Sequence, residues 1–153
     1  MPQSTNKRTN AEDTAFLELV RLLDLELAER DGDDHLFYAQ FNKPVGLSGV
    51  VLAYVDGDAI GCGAFKKHDQ NTVEVKRMYV RPANRGQRIA AGILTNIEVW
   101  ASEIGFSRCI LETGLNQPEA IALYQRCGYE AMPNYGQYAG VKSSVCMCKS
   151  LKD

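Results

Sequence analysis

The first strong pattern in the chain is an apolar stripe with helical spacing. Its members are Phe16, Leu19, Val20, Leu23 and Leu27. Because they recur every three or four residues, they fall on one side of a helix. A helix-start sequence lies at 10–13, and an acidic, glycine-containing turn at 31–34 ends the helix. We therefore predict a helix over residues 11–30, a short second helix over 35–41 and a loop over 43–49.

The next three apolar runs are short and are separated by turn residues. They cover residues 50–55, 59–65 and 73–80. The first connection contains Asp56-Gly57, and an Asp-Gly pair between two such runs is a strong signal for a β-hairpin. The second connection is the polar segment 68–71. We predict an antiparallel meander of three strands.

The second half of the chain alternates between helical and strand patterns. One long apolar stripe has helical spacing and consists of Ile89, Ile93, Ile97, Trp100 and Ile104. Gly105 ends this helix, and residues 109–113 have the pattern of a buried strand. Pro118 suits the first position of another helix, which Gly128 ends. The segment after Gly128 and residues 143–151 are predicted to be the closing strands.

Length and composition fit one ordinary globular domain. The chain has 153 residues, of which 45% are hydrophobic and 24% are charged, and it contains no internal repeat or low-complexity linker. Residues 1–10 are polar and are predicted to be a flexible N-terminus, which leaves residues 11–153 for the domain. The order of elements predicts an α/β (α+β) domain whose central sheet is mixed, mostly antiparallel and flanked by helices.

The charge balance excludes some classes of partner. The chain has 17 Lys and Arg residues against 19 Asp and Glu residues, so its formal net charge is -2. This balance creates no positive field that would attract nucleic acid or anionic lipid, and we expect neither as a partner. The chain has no apolar stretch of about 18 residues and no apolar leader near its start. We therefore expect a cytoplasmic protein that does not bind a membrane.

The cysteines do not indicate a disulfide framework or a metal site. There are five of them, and an odd number without a secretion signal is typical of reduced thiols. Cys146 and Cys148 share one face of a predicted strand, but the two histidines, His35 and His68, lie far from them in the sequence. We therefore expect no bound metal.

The densest chemical signal is the segment 85–90, Arg-Gly-Gln-Arg-Ile-Ala, which connects a predicted strand to the long helix. The first amides of a helix have no partner within the helix and carry partial positive charge. A loop that brings them together therefore forms a binding place for a diphosphate. Small residues such as Gly86, Ala90 and Ala91 let phosphate oxygens approach the backbone. The segment predicts a diphosphate site.

This segment resembles the pyrophosphate-binding signature of the GNAT acetyltransferases, Gln/Arg-x-x-Gly-x-Gly/Ala, beginning at Arg85. Residues 74–82 resemble the fourth strand of that family, and residues 120–129 resemble its helix-and-tyrosine signature. Arg88 stands where the family usually has glycine, and we expect its guanidinium to hold a phosphate. The resemblance covers residues 73–129 and implies an N-acetyltransferase that uses acetyl-CoA as its cosubstrate.

The resemblance also implies roles for individual residues. Tyr124 corresponds to the general acid that protonates the leaving thiolate, and Glu74 to a general base acting through water, with Glu112 as the second candidate for that base. Gln117 matches the position of the family's coenzyme-binding asparagine. The residues implied to bind acetyl-CoA are Met78, Tyr79, Val80, Arg85, Gly86, Gln87, Arg88, Ile89, Ala90, Ala91, Gln117 and Tyr124. The residues implied to bind the acceptor are His35, Phe37, Tyr38, Tyr135 and Tyr138.

The sequence leaves the acceptor and one alternative function open. Polyamines, amino acids, antibiotics and protein amines all fit a small-molecule or peptide acceptor, and a homodimer is compatible with the strands near the C-terminus. The alternative is a sensor or interaction module that binds acetyl-CoA without turnover, although the presence of both Glu74 and Tyr124 favours an enzyme. A Rossmann-type nucleotide-binding domain is disfavoured, because three antiparallel strands precede the loop and the chain has no Gly-x-Gly-x-x-Gly.

Overall fold

The computed structural model describes residues 3–39 and 46–151, which form a seven-stranded sheet flanked by helices. The strands are β1 (Thr5–Thr9), β2 (Gly49–Val55), β3 (Asp58–Lys67), β4 (Thr72–Val80), β5 (Arg108–Gly114), β6 (Glu130–Met132) and β7 (Ser144–Ser150). The α-helices are α1 (Thr14–Asp31), α2 (His35–Ala39), α3 (Ile89–Glu103) and α4 (Pro118–Arg126). The strand order is β1-β2-β3-β4-β5-β7-β6, and only the β4/β5 pair is parallel. This confirms the predicted mixed, mostly antiparallel fold.

The sheet has a hydrophobic core on each face. On one face, α1 packs its predicted apolar stripe against β2 and β3. On the opposite face, α3 and Tyr124 of α4 pack against β4, β5 and β7. Because side chains alternate along a strand, Cys109 and Leu111 of β5 face α3, while Glu112 faces the side that α1 covers.

The predicted meander is present as β2, β3 and β4. Asp56-Gly57 connects β2 to β3, and the φ angles of these two residues are +51° and +84°. Two positive φ angles in succession are typical of the type I′ turn, whose twist matches that of paired strands. Gly57 adopts such an angle without steric cost, so local turn chemistry fixes this hairpin.

The N-terminus differs from the predicted flexible segment over residues 1–10. Thr5–Thr9 form the edge strand β1, which pairs antiparallel with β2. Asn6 donates to a backbone carbonyl of α3 at 3.2 Å, and Arg8 pairs with Glu103 of α3 at 2.7 Å. The strand is exposed and polar, so it has no hydrophobic alternation by which its sequence would reveal it.

The bounds of the first two helices follow from local chemistry. Helix α1 begins three residues later than predicted because Asp13 caps it, its carboxylate accepting a hydrogen bond from the Ala15 N–H at 2.9 Å. Helix α2 confirms the short second helix, but its predicted end and part of the predicted loop fall within residues 40–45, outside the described residues. Within the described ranges, each helix is too short or too polar to cross a membrane.

A break in β4 positions the functional site. Arg77 has a φ of +60°, and the register with β3 shifts by one residue between Cys62 and Ala64, which defines a β-bulge. On its other edge, β4 pairs with β5 only over Thr72–Glu74. Beyond that point the two parallel strands are no longer paired, so their C-terminal halves leave a cleft between them.

Gly63 of β3 allows the bulge and α3 to approach the sheet closely. A Cβ atom at this position would lie 2.5 Å from Met78 Sδ and 2.7 Å from Ile93 Cγ2. Real Cβ atoms do not come so close to neighbours. Glycine at position 63 is therefore required by packing against the bulged part of β4.

We predict that Gly63→Ala lowers the free energy of unfolding by roughly 1–3 kcal/mol, because the added methyl group overpacks the contact with Met78. The matched control is Gly92→Ala in α3, whose new Cβ meets nothing closer than 3.8 Å. It should raise the free energy of unfolding by about 0.5–1 kcal/mol through helix propensity. Urea unfolding without coenzyme measures both changes. Wild-type stability in Gly63→Ala would contradict the tight packing.

Candidate active site

A cavity of about 710 Å³ opens where β4 and β5 separate. Its walls are the end of β4, the loop between β4 and α3, the first turn of α3 and one side of α4, with α1 running across it. We call it the large cavity. Eleven of the twelve predicted coenzyme-binding residues line it, while Gln87 is not among its lining residues. The eleven are Met78, Tyr79, Val80, Arg85, Gly86, Arg88, Ile89, Ala90, Ala91, Gln117 and Tyr124.

The start of α3 forms one wall of the large cavity. Ile89, Ala90 and Ala91 line the cavity there, and the N-cap residue Arg88 makes no side-chain capping hydrogen bond. The N–H groups in the first turn of a helix have no acceptor within the helix and carry partial positive charge. This wall therefore fits the diphosphate of a coenzyme.

The backbone of Arg88 explains why a glycine would suit this position. Its φ angle is +62°, in the left-handed region, which costs a residue with a side chain about 1–2 kcal/mol. Its side chain is exposed, and the residue lines the large cavity. The chain therefore tolerates a strained backbone at the residue that brings a guanidinium to this cavity.

Two ion pairs connect α1 to opposite walls of the large cavity. Arg85 Nη2 lies 2.8 Å from Glu26 Oε1, and Arg30 Nη2 lies 2.7 Å from Glu119 Oε1. Arg85 Nε also donates to the Val80 carbonyl at 2.8 Å. A carboxylate thus already neutralises each of these two arginines, and an entering phosphate has to compete with Glu26 and Glu119 for them.

A second cavity of about 110 Å³ adjoins the large one beneath α1. We call it the small cavity. The two cavities share five lining residues, which are Leu23, Met78, Gln117, Ala120 and Tyr124. Tyr124 therefore lies where a molecule in one cavity would meet a molecule in the other.

Tyr124 is a buried residue of α4, and its ring packs edge-on against Tyr129 with 5.9 Å between ring centroids. Burial raises the pKa of the Tyr124 phenol above its usual range, and the nearby Cys127 and Glu112 add to this shift. The hydroxyl is therefore neutral at pH 7 and is available as a proton donor.

Glu112 of β5 lines the small cavity. Burial raises the pKa of its carboxyl to about 7, although a hydrogen bond with Ser144 and the charge of Lys76 partly offset this effect. Its Oε2 atom is buried and has no hydrogen-bond partner. A carboxylate with such a pKa can accept a proton at neutral pH, which is the requirement for a general base.

Glu74 is in a different environment. Its Oε2 accepts a hydrogen bond from the Tyr135 hydroxyl at 2.7 Å, and its Oε1 lies 3.8 Å from Lys76 Nζ. Glu74 is buried but lines neither the large nor the small cavity. The Glu74 carboxylate therefore already has two partners, Tyr135 and Lys76.

The predicted acceptor-binding aromatics have mostly structural contacts. Tyr38 alone among them lines the small cavity, and its hydroxyl lies 2.6 Å from Ser143 Oγ and 2.9 Å from Ser144 Oγ. Tyr138 is buried in a separate cluster, against which Phe37 and Tyr135 pack. For His35, only the backbone is described. Of the four whose side chains are described, the structure thus brings one, Tyr38, to the small cavity.

Several charged residues of the two cavities were not predicted from the sequence. Glu26 and Arg30 of α1 line the large cavity, and Asp31, Lys76 and Arg77 line the small one. The four-residue spacing of Glu26 and Arg30 places them on one side of α1, and this was the only sequence pattern that could have predicted them. No sequence pattern could have predicted Lys76 and Arg77, because the direction of their side chains depends on the bulge.

Comparisons with known proteins agree with this geometry. Residues 15–129 match the Acetyltransferase (GNAT) family. The chain is 32% identical to an Azospirillum brasilense protein named IAA acetyltransferase, and the alignment covers 99% of this chain and 100% of that protein. It is also 34% identical to the uncharacterized N-acetyltransferase YjgM of Escherichia coli K12, over 61% of this chain and 56% of YjgM.

Solved structures show the same architecture. A Klebsiella pneumoniae protein assigned as an acyl-CoA N-acyltransferase matches with a TM-score of 0.83 and 29% identity, over 98% of this chain and 99% of that one. An Elizabethkingia anophelis GNAT acetyltransferase with acetyl-CoA bound shares the fold, with a TM-score of 0.69 and 17% identity, over 96% and 97% of the two chains. The chain therefore belongs to the GNAT acetyltransferase family and is an acetyl-CoA-dependent acyltransferase.

The role of Arg88 is testable with two variants. Arg88→Ala removes the guanidinium and keeps a side chain at the positive φ, whereas Arg88→Gly removes both the guanidinium and the strain. If the guanidinium holds a phosphate, both variants should weaken coenzyme A binding by roughly tenfold in calorimetry. Arg88→Gly should also be about 1 kcal/mol more stable than Arg88→Ala. Wild-type affinity in both variants would contradict the phosphate contact.

Proposed function

We propose that the protein transfers the acetyl group of acetyl-CoA to a primary amine by direct attack, with Glu112 as general base and Tyr124 as general acid. One observation carries the proposal: Tyr124 lines both cavities, whereas Glu112 lines only the small one. The coenzyme occupies the large cavity, the amine occupies the small cavity, and the two meet beside Tyr124.

A base is needed because of the acceptor's own chemistry. An aliphatic amine has a pKa near about 10, so at neutral pH it is protonated and cannot attack a thioester. Glu112 takes up that proton from the amine in the small cavity. Because burial brings the pKa of Glu112 to about 7, its ionised form is well populated at neutral pH and still basic enough for the transfer.

An acid is needed on the coenzyme side. Acetyl-CoA supplies an activated acyl group as a thioester, and the sulfur must leave as the new amide forms. The neutral hydroxyl of Tyr124 donates a proton to that sulfur, and the proton that the nitrogen loses as the amide forms restores the hydroxyl. The first turn of α3 and the Arg88 guanidinium hold the diphosphate, which fixes the distance from the sulfur to Tyr124.

The proposal uses Glu112 where the family resemblance implied Glu74. Glu74 already accepts a hydrogen bond from Tyr135 and pairs with Lys76, and it lines neither cavity. Glu112 lines the small cavity and has a free, buried oxygen. Geometry therefore supports Glu112, and Glu74 has the contacts of a residue that positions Lys76 and Tyr135.

Two further expectations from the sequence remain predictions. A cytoplasmic location is supported by the five cysteines, all of which are free thiols, as is usual in a reducing compartment. Homodimer formation stays a prediction, because it concerns a contact between two chains.

Turnover separates the proposed enzyme from a sensor that only binds the coenzyme. A sensor would be stabilised by acetyl-CoA but would release no thiol with any amine.

We predict that kcat/KM for the amine, expressed per protonated amine, rises with pH and levels off above about pH 7. The reason is that Glu112 accepts a proton only when ionised, and its pKa is about 7. Glu112→Gln should remove this rise and lower the rate by roughly 100-fold or more. The matched control Glu74→Gln should retain the rise.

Thiol release from acetyl-CoA, followed from pH 5.5 to 9.5, measures these profiles. Loss of the pH-dependent rise in Glu74→Gln, with the rise retained in Glu112→Gln, would reverse the assignment of the base. The profile of the wild type alone does not decide between the two residues, which is why both variants are needed.

Tyr124→Phe tests the acid. The ring and its packing against Tyr129 are kept, so the fold and coenzyme affinity should be unchanged, while kcat should fall by roughly 100-fold or more. Tyr129→Phe is the control, since the Tyr129 hydroxyl donates to Glu98 and lies outside both cavities' linings. Equal kcat in Tyr124→Phe and wild type would show that the sulfur leaves without this proton.

A further inference from the structure

Two residues that line the small cavity each carry an unusual buried atom. Among the buried side-chain nitrogens and oxygens of the described residues, two have no hydrogen-bond partner, and they are Arg77 Nε and Glu112 Oε2. Both residues line the small cavity. A buried polar atom without a partner is costly, and such atoms in a native protein often have a functional reason. Here the pair consists of one donor and one acceptor.

Arg77 is held rigidly in this position. Its side chain is only 1% exposed, its Nη2 lies 2.5 Å from Asp24 Oδ1 of α1, and its backbone forms the left-handed centre of the β4 bulge. The pair with Asp24 uses one end of the guanidinium. The Nε–H therefore remains a buried donor without a partner, on a residue that lines the small cavity.

The charges of the small cavity are mixed. Two cationic residues, Lys76 and Arg77, and two acidic residues, Asp31 and Glu112, line it. The Lys76 side chain is 9% exposed, and its nearest carboxylate, Glu74, is 3.8 Å away. A molecule with one positive and one negative group matches these mixed charges.

We propose that the acceptor is an α-amino acid or a similarly compact aminocarboxylate, whose carboxylate binds at Arg77 and Lys76 while its amine faces Glu112. This inference rests on the proposed function and specifies its substrate class. The carboxylate accepts the hydrogen bond that Arg77 Nε lacks, and the amine donates to Glu112 Oε2 before it loses its proton to that oxygen. One ligand thus satisfies both atoms.

The size of the small cavity agrees with this class. A volume of about 110 Å³ holds several heavy atoms, since about 10–15 Å³ on the same measure is enough for one water molecule. An aminoglycoside or a folded protein is too large for this cavity and could enter it only with a slender group that carries the amine. A free amino acid places both charged groups within one or two bonds of a single carbon.

The test is a comparison of matched acceptors. We would measure kcat/KM, by thiol release from acetyl-CoA, for the common α-amino acids and for the α-carboxamide of each, expressed per protonated amine. The carboxamide has almost the same shape but no negative charge. The best amino acid is expected to exceed its carboxamide by roughly tenfold to 100-fold, because a charged hydrogen bond is lost.

Two results would overturn the inference in distinguishable ways. Thiol release with amines and carboxamides, without a preference for the amino acids, would overturn the substrate class and leave acetyl transfer to amines intact. No thiol release with any amine would overturn the proposed function, and the substrate class with it.

Variants of the two cationic residues test which side chains cause the preference for the amino acid over its carboxamide. Arg77→Gln and Lys76→Met should each reduce the ratio of amino acid to carboxamide by roughly tenfold, because each removes a donor for the carboxylate. Both substrates are measured on the same protein, so a partial folding defect does not change this ratio. If Arg77→Gln does not fold, the result for Lys76→Met decides.

The control is Arg81→Gln. The Nε of Arg81 donates to the Ala59 carbonyl, and Arg81 lines neither cavity. A wild-type ratio in Lys76→Met and Arg77→Gln would overturn the assignment.

Discussion

The pairing between β4 and β5 ends after Thr72–Glu74, and the functional site depends on this early separation. Two parallel strands that remained paired would satisfy each other's backbone groups and leave no cleft. The bulge at Arg77 turns β4 away, and Gly63 lets the turned part pack under α3. Both cavities lie where the strands have parted, so a change that restored regular pairing would remove the site.

Opposite faces of the sheet contribute different chemistry at this cleft. Helices α3 and α4 pack on one face, where the first turn of α3 and the Tyr124 side chain line the large cavity. The face under α1 provides Glu112, Lys76 and Arg77. Low polarity around these groups raises the pKa of Glu112 and of Tyr124 for the same reason, since burial disfavours both anions. In the proposed mechanism, this shared desolvation prepares both the base and the acid.

The sequence predicts the features that local patterns encode. The apolar stripes of α1 and α3, the Asp56-Gly57 hairpin and the glycine loop before α3 all depend on neighbouring residues, and the fold confirms the elements predicted from them. The bulge at Arg77 could not be predicted from the sequence, because a bulge depends on how the strand pairs with its partner strand. The different environments of Glu74 and Glu112 were equally hidden, since Glu74 accepts a hydrogen bond from Tyr135, which is 61 residues away in the chain.

The most direct measurement is a crystal structure of the protein with coenzyme A bound. The account predicts that the diphosphate oxygens accept hydrogen bonds from the N–H groups of Ile89–Ala91, and that the thiol sulfur lies within hydrogen-bond reach of the Tyr124 hydroxyl at the entrance of the small cavity. A coenzyme bound outside the cleft between β4 and β5, or with its sulfur directed away from Tyr124, would contradict the account.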